Sequence, residues 1–144
     1  MKTSLKKIEE EDLNALAKIM KESFLEKPWQ EHWTIDSCLK RLSILFSMKT
    51  FLGYKLMLGE KVIGASFGYT LPYEEETQFH LVELFLNPID TKQGYGTEFM
   101  NLLLEKWKEN KIDRILLSTR GSLSLFYARF GFSFSSDTIM EKKI

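Results

Sequence analysis

The chain has 144 residues, 44% hydrophobic and 28% charged, the balance of one globular domain large enough to bury a core. Lys plus Arg and Asp plus Glu each number 20, so no net basic field draws the chain to nucleic acid or an anionic membrane. Cys38 is the single cysteine, which excludes an internal disulfide framework and a thiolate metal cluster. No apolar run reaches the ~20 residues that span a bilayer, and MKTSLKKIEEED lacks the apolar core of a secretory signal, so a cytoplasmic domain is expected.

SLKKIE reads as an opening strand. Leu13, Leu16, Ala17, Met20 and Phe24 follow at helical spacing, behind an acidic EEED that suits the positive end of a helix. LEKPWQEHW is an aromatic-rich loop broken by Pro28. Thr34 is the expected N-cap of a second helix, with Ile35, Cys38, Leu39, Leu42, Leu45 and Phe46 on one side. YKLML and VIGASFGYT flank a Gly59-Glu60 hairpin turn, and QFHLVELFLN is the third strand of that meander. TEFMNLLLEKWKEN reads as a third helix, DRILLST as a buried strand, and SLSLFYARF as a short helix ended by Gly131. FSFSSDTIMEKK is expected to close the chain as strand. The order β α α β β β α β α β predicts an α+β (mixed α/β) domain over residues 1–144. Its sheet would be central, mixed and mostly antiparallel, with helices on both faces.

Two stretches carry chemistry. In ELFLNPIDTKQGYG, Gly94 and Gly96 lower the barrier to positive φ, so successive N–H groups can face one side as an anion nest. The helix behind them adds unpaired N–H groups and its dipole, which together suit a phosphate. Neither of two better-known phosphate loops fits: Gly96 is followed by Thr97 and Glu98 rather than Lys-Ser/Thr, and Phe99 stands where a third dinucleotide glycine would be. Upstream, Glu83 lies in a run that is apolar from Phe79 to Leu86 except for itself and His80. Such an acid is either tied in an ion pair, turned to water at an edge, or raised by burial into a general base. Tyr127, on the short late helix, points off the stripe of Leu123, Phe126 and Phe130.

These pieces, in this order, resemble the GNAT superfamily of acyl-CoA-dependent N-acyltransferases. IEEEDLNALAKIM is similar to its first strand and helix, GEKVIGASFGY to its second hairpin, ELFLNPIDTKQGYGTEFMNLLLE to its acetyl-CoA motif and LFYARFGF to its tyrosine helix. Two positions depart. Thr91 stands where the family's glycine loop begins with Gln or Arg, and Arg120 lies near a position often filled by Asn.

The resemblance implies a fold in which strands splay apart around Leu84 and Leu116 to admit acetyl-CoA. Pantetheine would pair with the backbone of Leu84, Phe85 and Leu86 as an added strand does. The pyrophosphate would meet the N–H groups of Gln93, Gly94, Tyr95, Gly96 and Thr97, with Lys92 and Arg129 adding positive charge. It implies direct acetyl transfer to a primary amine of a small molecule or peptide, with Glu83 as base and Tyr127 as acid toward the leaving sulfur. The family's acceptor wall would fall at Trp29, His32 and Trp33; these are equally a packed lid or a dimer contact. His80, three residues before Glu83, faces the opposite side in a regular strand, and only a bulge would make it a second base. Cys38 sits on an apolar stripe and reads as packing, and His32 and His80 are too few for a metal site, so no metal is expected. The turn of Glu74, Glu75 and Glu76 would favour a cationic acceptor if it borders the site. Exposed C-terminal strand edges would suit a homodimer. The rival reading is a CoA-binding sensor or regulator that transfers nothing.

Overall fold

A computed structural model describes residues 2–144, with the side chain of Lys92 outside the described set. Five strands form one sheet in the order β1 (Thr3–Lys7), β2 (Phe51–Leu58), β3 (Lys61–Tyr73), β4 (Glu76–Leu86) and β5 (Arg114–Leu117). All neighbours are antiparallel except β4 and β5, the crossover pair joined through a helix. The mixed α+β class and the mostly antiparallel sheet are therefore as expected.

Two helices cover one face. In α1 (Leu13–Leu25) the whole expected stripe of Leu13, Leu16, Ala17, Met20 and Phe24 is buried, each large side chain contributing about 1.5–3 kcal/mol. The EEED acids do not lie inside that helix but form a 3-10 turn ahead of it, and Asp12 accepts from Lys55 Nζ at 2.7 Å. In α2 (Ile35–Phe46), Thr34 caps as expected: its Oγ1 accepts from Ser37 N at 3.0 Å and Ser37 Oγ accepts from Thr34 N. Cys38, Leu42 and Leu45 are buried there with Ala65, Phe67 and Phe85 of the sheet.

The other face carries α3 (Tyr95–Glu109) and the short α4 (Ser124–Ala128). Phe99, Met100, Leu103 and Trp107 pack on Tyr54, Leu56, Ile63, Phe79 and Leu81, and Phe126, Tyr127 and Phe130 join them. Gly131 ends α4 at φ 91°, with Phe132 N donating to Tyr127 O, so the expected left-handed cap forms.

Two details differ from the expected pattern. Phe67 pairs with Glu83 but Gly68 with Leu81, so Val82 is an extra residue, a β-bulge in β4. The bulge turns Phe79 and Leu81 toward α3, yet Glu83 and Phe85 toward α1 and α2. The closing strand over FSFSSDTIMEKK does not form. Ser135 Oγ instead accepts from Asp137 N and donates to Asp137 O, each at 3.2 Å, a local turn that competes with strand pairing. Phe134, Ile139 and Met140 stay exposed. The C-terminal strand edges that would suit a homodimer are thus absent among the described residues, and the sheet's edges are the outer sides of β1 and β5.

Candidate active site

Strands β4 and β5 stay paired only from Gln78–Leu81 against Arg114–Leu117. Past that point β4 continues to Leu86 with β3 on one side and, among the described residues, no strand on the other, so the sheet forks. A cavity of about 360 Å³ opens at this fork. Met20 and Phe24 of α1, the α1–α2 loop and Arg41 of α2 line it from one face. Leu81 to Leu84 and Leu117 to Thr119 form the fork itself, and Tyr127 closes the other face. Glu83 and Tyr127, which come from opposite faces of the sheet, thus meet in one space because the strands part between them.

The bulge at Val82 decides which way the acid points. Directly opposite Phe67, Glu83 faces α2, is 6% exposed, and accepts from Arg41 Nε through its Oε1. Burial pushes the Glu83 carboxyl above the ordinary carboxylate range, against the opposing pull of the Arg41 guanidinium, and Glu31 adds to the rise. The Tyr127 phenol is pushed up to about 12 by burial against Phe126 and Phe132, so it stays protonated near neutral pH.

Trp29 and Trp33 both line the cavity, but not as bare aromatic faces. Arg41 lies 5.8 Å from the Trp33 ring centroid and Arg120 lies 5.1 Å from that of Trp29. Glu31 ties the two together, accepting from Trp33 Nε1 at 2.9 Å and from Arg120 Nη2 at 3.3 Å. Trp29 also packs edge-on against Phe24 at 5.2 Å. Thr119 Oγ1 is buried in the same wall with no hydrogen-bond partner among the described residues.

Other expected residues stand elsewhere. The bulge breaks strand parity, so His80 shares the face of Glu83, contrary to the regular-strand expectation. It stacks on Tyr69 at 4.9 Å and lies outside the cavity lining. Glu76 is held by Arg114 at 2.9 and 3.1 Å, at the end of β5 away from the fork, so the acidic turn does not border the cavity. Cys38 is fully buried as packing, its thiol pushed up by burial and by Glu83.

The glycine loop is half as expected. Gly94 takes φ 81° as the N-cap of α3, after a 3-10 turn over Pro88–Gln93. Gly96 does not use positive φ. It lies inside the first helical turn, where a Cβ would meet Phe126 at 3.7 Å and Leu86 at 3.8 Å. The first-turn N–H groups of α3 have no acceptor within the helix and open beside exposed Gln93, Gly94 and Thr97. Phe126 contacts that turn and carries the Arg129 guanidinium 5.3 Å from its ring centroid, which brings this cation toward the loop. The expected contact from Lys92 lies outside the described residues. Thr91 Oγ1 is spent on Pro88 O at 2.9 Å, closing the 3-10 turn.

Sequence reasoning missed Arg41, Glu31 and Thr119, and it marked Arg120 only as a departure from the family's Asn. For Arg41 a signal existed: it falls with Cys38, Leu42 and Leu45 on the buried side of α2, a charge within an apolar stripe. For the other three, which sit in loops, no periodicity exists to read.

A forked mixed sheet with a glycine turn ahead of its long helix, and helices on both faces, is the architecture of the GNAT acetyltransferases. Residues 43–144 match the acetyltransferase (GNAT) domain, and the chain belongs to this family. No curated protein matches the sequence. Among solved structures, a possible acetyltransferase from Clostridium difficile 630 superposes with a TM-score of 0.83 at 10% identity, over 99% of this chain and 97% of that one. A transcriptional regulator from Bacillus halodurans C-125 gives 0.76 at 17%, over 99% and 100%. The aminoglycoside N-acetyltransferase AAC(6')-Iy in complex with CoA gives 0.72 at 13%, over 99% and 95%. At these identities the likeness speaks for the fold alone.

Proposed function

We propose that the chain moves the acetyl group of acetyl-CoA directly to a primary amine of a small molecule, with Glu83 as general base and Tyr127 as hydrogen-bond donor to the departing sulfur. The observation that carries this reading is the fork, where one cavity joins a buried acid to a neutral phenol across the gap between β4 and β5. The main-chain groups from Leu84 to Leu86 that face away from β3 would pair with pantetheine, and the N–H groups of Gln93 to Thr97 would receive the pyrophosphate. A cavity of about 360 Å³ has the size of a small-molecule site, which supports a small-molecule amine over a protein surface.

An alkylamine arrives mostly as ammonium, since its pKa resembles the ~10.4 of lysine. Glu83 takes that proton, and a raised carboxyl makes the transfer less uphill than an ordinary one. The nitrogen then attacks the thioester carbon, and a strand N–H near Leu84 stabilises the oxyanion. Tyr127 faces a thiol of pKa ~8.5, so complete transfer from a phenol near 12 is uphill by on the order of 5 kcal/mol. Its contribution is therefore a hydrogen bond to the sulfur as negative charge develops there, with full protonation following.

Incubation with acetyl-CoA and a panel of amines, with free thiol followed over time, tests the reading. Thiol release that depends on an amine, and falls at least tenfold in Glu83→Gln, is the expected result. The engagement of Glu83 by Arg41 is the observation favouring a non-catalytic CoA-binding module. Thermal stabilisation by CoA without turnover on any amine would decide for it.

A further inference from the structure

We propose that the acceptor is a small amine carrying its own carboxylate next to the nitrogen, of the α-amino acid type, and that Arg41 selects it. The inference rests on the acetyl-transfer reading of the same cavity. It starts from a conflict in that site: the carboxylate that must take the acceptor's proton is already the partner of a guanidinium.

A purely cationic amine would compete with Arg41 for one acid. The other acid of the wall, Glu31, offers no relief, because Trp33 and Arg120 both donate to it. Counting Glu31, Glu83, Arg41 and Arg120, the surrounding charge is zero, so a lone cation would be desolvated without a counter-charge. A zwitterion changes this. Its ammonium can replace Arg41 on Glu83 while its carboxylate takes the freed guanidinium, and every charge stays paired.

The contact between Arg41 and Glu83 also sets the spacing. Two groups that touch can be bridged only by an ammonium and a carboxylate that are close together. Across an N–Cα–C unit the nitrogen and the nearest carboxylate oxygen lie on the order of 3 Å apart. The Arg41 side chain is 45% exposed, so its planar fork is free to turn onto a carboxylate, for which it is the natural bidentate partner.

The exchange prepares the reaction and balances it. Glu83 removes one proton from the ammonium; the nitrogen lone pair forms the C–N bond and the C–S bond breaks. The sulfur leaves with Tyr127 donating a hydrogen bond to it, and the proton shed by the new amide nitrogen ends on the sulfur. The products are an N-acetyl amino acid, CoA thiol and the proton held by Glu83, which returns to water.

The test compares free α-amino acids with their primary amides and with simple diamines, using the full chain and the Arg41→Gln variant. An α-amino amide has the less basic nitrogen, so nucleophile supply alone would favour the amide. The expected result is a kcat/KM about 30-fold or more higher for the acid than for its amide, the worth of a hydrogen-bonded pair between the guanidinium and the substrate carboxylate. That ratio should collapse toward one in Arg41→Gln, because kcat/KM for the acid falls more than that for the amide, and fall partway in Arg41→Lys, which keeps the charge but loses the fork. CoA-induced thermal stabilisation should be the same in all three proteins, which checks that each is folded. Amides or diamines turned over as well as acids by the wild type would overturn the inference and leave acetyl transfer standing, as would a ratio unchanged by either substitution. Stabilisation by CoA with no thiol release on any amine would remove both.

Discussion

At Glu83 two effects oppose each other, and burial outweighs the arginine beside it. The native state therefore holds this proton to higher pH than the unfolded chain, whose glutamate titrates near 4.3. Between that value and the raised native one the folded protein binds more protons, so stability falls as pH rises through the window and is flat above it. Glutamine at this position has no charge to bury, and Arg41, half exposed, stays solvated without its partner. Glu83→Gln should thus melt above the wild type at pH 8, with the difference shrinking toward pH 4, while activity drops by about 10²-fold or more. Melting curves at both pH values check it; an equal shift at each would mean the charge is not the cause. Tyr127 is raised in the same direction, by burial alone. Its phenol titrates only near 12, so it gives no basic limb to the rate profile below about pH 10. Tyr127→Phe should lower kcat about ten- to a hundred-fold, the worth of one hydrogen bond to a charged atom, and leave the affinity for CoA unchanged by calorimetry.

The elements show what a single sequence makes legible. α1 and the buried side of α2 were readable because one stripe per helix has to face the sheet, and the Thr34 cap was readable from its residue type. Strand β4 was not. Its run is apolar on both faces, so alternation could not say where the extra residue would sit, and the bulge at Val82 was invisible although it aims Glu83. FSFSSDTIMEKK alternates well enough for a strand, but pairing needs a neighbour, and Ser135 closes a local turn instead. The glycine pair looked like one device and is two. Gly94 needs its φ of 81°, while Gly96 is an ordinary helical residue whose Cβ would find normal contact distances. Gly94→Ala should therefore cost about 1 kcal/mol in stability and weaken CoA binding by distorting the turn. Gly96→Ala should be neutral or stabilise by up to about 1 kcal/mol, with CoA binding kept, because the added methyl points toward Phe126 and Leu86. Titration calorimetry and melting of the two variants separate these roles. Loss of CoA binding in Gly96→Ala would mean the anion approaches from the side that packing now occupies.

Across the whole molecule, two hydrophobic clusters lie on opposite faces of one sheet, and the cavity is the place where both contribute walls. Phe24 belongs to the first cluster, Leu81 and Tyr127 to the second, and the fork of β4 and β5 joins them. Neither cluster can loosen without opening the site, since each strand of the fork carries side chains that the opposite layer covers. A chain of 144 residues built this way should unfold in one cooperative step, and a ligand seated in the fork should stabilise both layers together. At a hundred times its dissociation constant, a ligand that binds only the folded state adds about 2.7 kcal/mol. For a domain of this size that raises Tm by about 5–10 °C. Calorimetric scans with and without CoA should each show a single transition, with a calorimetric enthalpy that matches the van't Hoff value. Two transitions, only one of them shifted by CoA, would place the coenzyme on one layer alone and remove the fork as the element that joins donor and acceptor.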